Sequence, residues 1–201
     1  MGLAWYTMNW TRHGEPDWVK GTFPFLNLFL LGQMRYVNIP LFLLFEMQRW
    51  LLEGSAIDKM FLAMSCLWMQ HVSFFALANS NSLSSIDLSN AYNGISSYSI
   101  PLVGALTFIS NWAGPIWWSF AAVRFFATKQ SGGDGGGGYV DWIGWSALFH
   151  GIGMVFLVGA CIVLRMHLFI WTVFSPKFLF QAVWMGLTHI FVEAVVGGIL
   201  C

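Results

Sequence analysis

The sequence predicts an all-α fold, a polytopic transmembrane helical bundle of about five spans, each of roughly 20 apolar residues. Of its 201 residues, 57% are hydrophobic, 18% are aromatic and only 9% are charged. A soluble domain has roughly 25% charged residues, because its surface must face water. With so few charges, much of this surface must face lipid, where helices are favoured because they pair their own backbone polar groups.

Four apolar segments are long enough to cross the bilayer as helices, which takes about 20 residues. Residues 60–78, 98–123 and 142–164 contain no Asp, Glu, Lys or Arg. Residues 178–200 contain one such side chain, that of Glu193. These four segments are therefore the clearest predicted spans.

A weaker fifth candidate covers residues 23–45. Arg35 interrupts its apolar run, and Pro24 and Pro40 each remove a backbone hydrogen-bond donor. The segment is predicted to be either one broken span or a re-entrant pair of half-helices, and we favour one span. Residues 1–22 form a separate N-terminal segment that lacks the basic start and apolar core of a signal peptide.

The predicted connections differ in chemistry. Residues 46–59 are charged and are typical of a solvated turn, whereas residues 124–141 contain a glycine run and are interpreted as a tether. Residues 79–97 are rich in Ser and Asn, whose side chains satisfy backbone groups locally, so we expect an ordered polar loop.

Ionisable side chains within the spans are the first candidates for function, because each must find a partner or lose its charge. His189 and Glu193 are four residues apart and therefore share a helix face. This pair is predicted either to bind a lipid headgroup or exchange protons, or to stabilise the bundle through an interhelical hydrogen bond. His71, beside Gln70, and His150 are interpreted as packing residues with satisfied hydrogen bonds.

Asn111, Gly114 and Pro115 lie inside the predicted span 98–123. The Gly and Pro residues are expected to kink the helix, and the Asn111 side chain is expected to cap the carbonyls that the kink frees. The tryptophans of this segment either line a lipid-facing groove or only pack the kinked helix. They are Trp112, Trp117 and Trp118.

Basic and aromatic residues of the last connection form a candidate headgroup-binding surface. Arg165, His167 and Lys177 are predicted to lie near one membrane surface, with Trp171 at headgroup level. A helix is expected to start at the Ser-Pro pair 175–176, where its first backbone donors face a lipid phosphate. The alternative is interfacial anchoring, in which the basic side chains snorkel to the headgroups.

Other classes of function are disfavoured by the residue pattern. Basic and acidic residues number 9 each, so no basic excess attracts nucleic acid. No His and Asp residues cluster at ligand spacing, so no metal site is predicted, and the three cysteines are predicted to be apolar core residues. The pattern leaves a transporter-like bundle, a scaffold, or the membrane part of a lipid enzyme.

Three motifs, in the same order, resemble the C-terminal membrane region of GPI ethanolamine phosphate transferases. They are NSNSLSSIDLSNAYNGI at 79–95, LTFISNWAGPIWW at 106–118 and LRMHLFIWTVFSPKFLF at 164–180. The last motif is closest to the type 2 enzyme of this family, and the type 3 enzyme is similar in arrangement. The resemblance covers most of residues 23–201.

The resemblance implies a multi-pass protein of the endoplasmic reticulum membrane that acts in GPI-anchor biosynthesis. Enzymes of this family transfer phosphoethanolamine from phosphatidylethanolamine to a mannose of the GPI glycan, and a small multispan subunit stabilises types 2 and 3. The resemblance therefore implies three kinds of partner: membrane lipids, the GPI precursor with phosphatidylethanolamine, and that stabilising subunit.

Catalysis in this family belongs to a luminal, metal-dependent domain that these 201 residues do not include. We therefore expect a fragment or a truncated relative, with no catalytic residue, cofactor or metal of its own, and the divalent metal in the missing domain. In this interpretation the chain supports lipid-substrate or partner binding. The alternative is a non-catalytic scaffold or lipid-handling protein derived from the family.

Two predicted spans separate the loops 79–97 and 165–177, so both loops are expected on the same membrane face. N-glycosylation sites inserted into the two loops should be modified together or remain unmodified together, as measured by gel mobility after expression in microsomes. Modification of one loop alone would contradict the predicted number of spans between them.

Overall fold

The computed structural model describes residues 17–55, 57–80, 86–131, 138–168 and 170–190, and within these residues it contains helices and no strand. The all-α fold class is thus confirmed. The helices are α1 (Asp17–Gln33), α2 (Ile39–Gly54), α3 (Lys59–Ala76), α4 (Ile100–Asn111), α5 (Ala113–Ser131), α6 (Gly138–Val163) and α7 (Ser175–Leu187). A 3-10 turn, Tyr36–Asn38, joins α1 to α2, and a π-helical turn, Ile170–Phe174, leads into α7.

One helix of the described ranges is long and apolar enough to cross a membrane by length and composition, namely Val140–Val163 in α6. Two further helical stretches, Phe23–Gln33 and Ile100–Asn111, are apolar but shorter. The count of five spans therefore stays a prediction.

Helix α5 is the centre of the bundle. It packs most extensively against α3 and also contacts α1, α2, α4 and α6. Trp117 and Trp118 are 1% and 0% exposed. The Trp117 ring lies 5.9 Å from the ring of Phe23 and 5.9 Å from that of Phe45, and its Nε1 donates a hydrogen bond to Asn27 Oδ1. These two tryptophans pack the core and do not line a lipid-facing groove.

Helices α3 and α5 cross in close contact at Gly114. A Cβ atom on this residue would lie 2.8 Å from Ser73 Cβ and 3.1 Å from the Ser73 carbonyl oxygen. Only glycine leaves space for this approach. Ser73 is itself 0% exposed, and its hydroxyl donates to the Gln70 carbonyl at 2.9 Å. Gly114 therefore fixes the distance between α3 and α5. It also lies beside the break between α4 and α5.

The segment 98–123 is not one kinked helix but two helices. Helix α4 ends at Asn111 and α5 begins at Ala113. The Asn111 amide donates to the Thr107 carbonyl at 2.8 Å, which caps the end of α4, and to the Asp87 carbonyl at 2.9 Å. With 12 residues, α4 is about 18 Å long, which is shorter than the roughly 30 Å of hydrocarbon.

Residues 23–45 are also divided between two helices, which agrees with the interruption expected at Arg35, and the choice between one broken span and a re-entrant pair of half-helices stays a prediction. Helix α1 ends at Gln33, and Arg35 has an extended backbone, with φ −64° and ψ 136°. The Arg35 guanidinium forms an ion pair with Asp87 at 2.7 Å, which holds the chain at this break. Pro40 follows in the first turn of α2, where its missing N–H leaves no hydrogen bond unmade.

Two segments predicted as connections are partly helical. Arg49, expected in the solvated turn 46–59, lies on α2 and is 5% exposed. Its guanidinium donates to Glu46 at 2.9 Å and to Glu53 at 2.8 Å, so carboxylates one turn away on either side compensate its charge. Helices α5 and α6 likewise extend into the segment 124–141. Most of its predicted glycine tether lies outside the described residues.

Gly114→Ala should lower the melting temperature, because its Cβ would overlap Ser73 and overpacking of this kind costs about 1–3 kcal/mol. The matched control is Gly151→Ala in α6, where a Cβ meets nothing within 4 Å. Thermal unfolding in detergent, followed by tryptophan fluorescence, measures both. Ser73→Gly added to Gly114→Ala should recover part of the loss, and equal melting temperatures for the two alanine variants would contradict the close crossing.

Candidate functional site

Three described cavities meet at His71, on the side of α3 that faces α6 and α7. The first, of about 110 Å³, lies between α3, the α4–α5 break and α7. The second, of about 300 Å³, lies between α3, α6 and α7. The third, of about 480 Å³, is an apolar groove along α3 and α6. His71 lines all three, so they adjoin one another at its imidazole.

The first cavity combines aromatic walls with a few polar groups. Trp112 packs against two phenylalanines, with ring centroids 5.2 Å from Phe74 and 5.4 Å from Phe180, and Trp184 adds a further aromatic surface. The polar lining consists of Gln70, His71, Lys177 and Gln181. The last two are one helical turn apart at the beginning of α7, so both point to the same side of that helix.

Gln70 has an unusual environment for a buried amide. It is 1% exposed, and neither its Nε2 nor its Oε1 has a hydrogen-bond partner within the described structure. Leaving a buried polar group unpaired costs about 1–3 kcal/mol. Gln70 lines the first cavity, so its unpaired amide makes it a candidate for contact with a bound polar group.

Three helices each contribute an imidazole to this region. The ring of His150 lies 6.5 Å from that of His71 and 5.6 Å from that of His189. His150 is 2% exposed, and its Nε2 has no hydrogen-bond partner among the described residues. The described residues contain no group of His, Cys, Asp and Glu placed to hold a metal ion.

The interpretation of His71 and His150 as packing residues with satisfied hydrogen bonds holds in part, because His150 Nδ1 lies 3.4 Å from Ser146 Oγ, whereas its Nε2 has no partner among the described residues. His71 Nδ1 lies 2.9 Å from the Leu67 carbonyl oxygen, which leaves its Nε2 available to the cavities. The sequence did contain a signal, since both residues are ionisable groups within predicted spans. The ring of His189 packs against that of His150, whereas its predicted partner Glu193 lies outside the described residues.

The structure separates the basic residues of the last connection. All three side chains are exposed, but Lys177 lines the first and second cavities, whereas Arg165 and His167 follow α6 and line none of the described cavities. Trp171 is 63% exposed, and its indole N–H donates to the Arg165 carbonyl at 3.2 Å. This arrangement fits interfacial anchoring for Arg165 and Trp171 and a cavity role for Lys177.

The predicted helix start at 175–176 is confirmed, but the expected free backbone donors are not found there. Helix α7 does begin at Ser175, but the π-helical turn Ile170–Phe174 precedes it directly. A π-helical turn provides carbonyl acceptors for amides five residues further along the chain. The first amides of α7 are therefore not a free anion-binding helix terminus.

The kinked-span residues have different positions around the site. Pro115 lines the first cavity, and Gly114 holds α5 against α3 beside it. Asn111 lies on the other side of the α4–α5 break, where it bonds to the polar loop.

Comparison with known proteins gives the family. A family model described as the GPI ethanolamine phosphate transferase membrane region matches residues 2–201. The chain belongs to this family. The motif at 106–118 contributes Trp112 and Pro115 to the first cavity, and the motif at 164–180 contributes Lys177 and Phe180.

Several relatives are fungal proteins named GPI ethanolamine phosphate transferase 2, which confirms the resemblance to the type 2 enzyme. The Aspergillus fumigatus protein is 45% identical over 160 residues, which cover 78% of this chain and 20% of that protein. The Aspergillus oryzae protein is 42% identical over 187 residues, which cover 92% of this chain and 21% of that protein. The Candida albicans protein is 36% identical over 197 residues, which cover 87% of this chain and 22% of that protein.

The chain thus spans about a fifth of the length of the curated relatives it matches. No solved structure matches it.

Gln70→Met should raise the free energy of unfolding of the lipid-free chain by about 1–2 kcal/mol, because it replaces an unpaired buried amide by an apolar side chain of similar length. Asn27→Leu is the matched control, since it removes the acceptor of the Trp117 N–H and should destabilise. Thermal unfolding in lipid-free detergent measures both variants. Equal destabilisation by the two substitutions would show that Gln70 is a paired structural residue.

Proposed function

We propose that this chain is the membrane part of a GPI ethanolamine phosphate transferase and that the cavities at His71 bind a phosphate-bearing lipid substrate. The proposal rests on one observation. A lysine, a histidine and two glutamine amides line an aromatic cavity that adjoins an apolar groove. This pairing of a polar end with an apolar channel matches the two parts of a phospholipid.

Phosphate binding is the chemistry that suits the polar end. The Lys177 ammonium provides three donors and a positive charge, and lysine binds phosphate groups well as a point charge. Gln181 and Gln70 add neutral amide donors from two different helices.

The remaining surfaces suit the other parts of a phospholipid. The faces of Trp112 and Phe180 attract a cation such as an ethanolamine ammonium group. The groove beside His71 is lined by Trp68, Val72 and Phe149, among other apolar side chains, and can hold an acyl chain. The site thus has separate places for the phosphate, the ammonium group and the hydrocarbon.

The activity of the whole protein is part of the same proposal. Phosphoethanolamine passes from phosphatidylethanolamine to a mannose of the GPI glycan in the endoplasmic reticulum, and a luminal metal-dependent domain outside these residues performs the chemistry. This chain holds the lipid substrate and does not catalyse transfer alone. A small multispan subunit stabilises the complex.

Lys177→Gln should reduce retention of phosphatidylethanolamine by roughly tenfold or more, because a hydrogen bond to a charged group contributes about 1.5–3 kcal/mol. The matched control is Arg165→Gln, the same loss of charge at an exposed residue that lines none of the described cavities. Mass spectrometry of lipids that remain bound to the purified chain after delipidation gives the measurement.

Diacylglycerol, which lacks the phosphate, should be retained equally by both variants and the unmodified chain. Equal losses of phosphatidylethanolamine in Lys177→Gln and Arg165→Gln would leave only a general charge effect and would reject the site.

A further inference from the structure

The imidazole of His71 has a fixed role in hydrogen bonding. Its Nδ1 lies 2.9 Å from the Leu67 carbonyl oxygen, and because a carbonyl only accepts, Nδ1 carries the proton of the neutral ring. Nε2, the ring nitrogen further from the backbone, then has a lone pair and no proton. The side chain is exposed and lines all three cavities. Neutral His71 therefore offers a hydrogen-bond acceptor to a molecule that occupies them.

The other polar side chains of the first cavity differ from His71 in this respect. Lys177 has an ammonium group, which only donates hydrogen bonds. Gln70 and Gln181 have amides that both donate and accept, so either end of a ligand can bond to them. The Nε2 atom of neutral His71 can only accept, so it distinguishes a ligand group that has a donor from one that does not.

The charge of Lys177 gives a direction to the headgroup of a zwitterionic phospholipid. It attracts the phosphate and repels a positive group, so the ammonium group lies on the side of the phosphate away from Lys177. Trp112 and Phe180, with ring centroids 5.4 Å apart, attract ammonium groups through their faces whether or not these are methylated. A hydrogen-bond acceptor is more selective, because a fully methylated ammonium group has no N–H to donate.

We propose that His71 is a specificity-determining residue of the lipid site, whose Nε2 accepts a hydrogen bond from an N–H of the headgroup ammonium. This inference rests on the proposed function, since it assigns one residue of that site to the choice between headgroups. A hydrogen bond from a charged donor is about twice as strong as one between neutral groups. A trimethylammonium headgroup forms no such bond and leaves the Nε2 lone pair unpaired, so the site favours a headgroup that keeps an N–H.

A series of methylated lipids tests this role without changing the protein. The purified chain is placed in nanodiscs that contain equal amounts of phosphatidylethanolamine, its N,N-dimethyl derivative and phosphatidylcholine, all with the same acyl chains. Mass spectrometry measures the lipids that remain bound after extraction. The dimethyl lipid keeps one N–H, whereas phosphatidylcholine has none. The largest fall in retention, roughly tenfold, is therefore expected between these two lipids, because the last donor to Nε2 is lost.

Substitutions at His71 separate the hydrogen bond from the shape of the site. His71→Phe keeps an aromatic ring without the acceptor, so it should lower retention of phosphatidylethanolamine to that of phosphatidylcholine and leave the latter unchanged. His71→Gln, whose Oε1 still accepts, should preserve most of the preference. The matched control is His167→Phe, the same substitution at an exposed residue that lines none of the described cavities, and it should leave the ratio unchanged. Lys177→Gln should lower retention of both lipids by the same factor.

The outcomes distinguish the role of His71 from the lipid site itself. If the unmodified chain retains neither phospholipid in preference to diacylglycerol, the site and the role of His71 are both rejected. If it retains both phospholipids equally, or if retention falls by similar steps with each methyl group, the role of His71 is overturned and the lipid site stands. An unchanged ratio in folded His71→Phe would also overturn it. If His71→Phe fails to fold, the methylated lipids and the unmodified chain decide the question.

Discussion

The close crossing of α3 and α5 at Gly114 is the contact on which the rest of the structure depends. In lipid, no hydrophobic force draws helices together, so close packing and interhelical hydrogen bonds must do so. Gly114 permits both, because its missing Cβ lets α5 touch the backbone of Ser73. Pro115 on one helix and Gln70 on the other, close to this contact, line the first cavity. The crossing that stabilises the bundle therefore also sets the width of the first cavity.

Polar groups within the bundle fall into two kinds. Arg49 and Asn111 are buried, but each is compensated by hydrogen bonds to neighbouring groups, as expected of structural residues. Gln70 and His150 are equally buried and keep polar atoms without partners inside the described structure. Such unpaired atoms lower the stability of the protein unless a ligand forms hydrogen bonds with them. Unpaired buried atoms also occur outside these cavities, at Trp118 and Trp142, so it is the position of Gln70 and His150 on the cavity linings that supports the proposed binding site at His71.

Composition and local pattern predict part of this organisation, namely the helical class, the polar loop, the helix interruption near Gly114 and the functional candidacy of Lys177. The breaks at Arg35 and Trp112 depend on Asp87 and the polar loop, which are distant in sequence and contribute bonds that no local pattern contains. The site likewise joins His71 on α3 to residues on α5, α6 and α7. The way the helices cross decides which polar residues of the predicted spans come together. The periodicity of the sequence does not specify how the helices cross.

We propose that a phospholipid occupies the cavities at His71 with its phosphate on Lys177. Electron cryo-microscopy of the chain in phosphatidylethanolamine nanodiscs, with a bound antibody fragment to aid alignment, tests this directly. We expect density for a phosphate at hydrogen-bond distance, about 2.7–3.2 Å, from Lys177 Nζ, with acyl density along the α3–α6 groove. A map in which Lys177 points to the bilayer surface and side chains fill the cavity would contradict it.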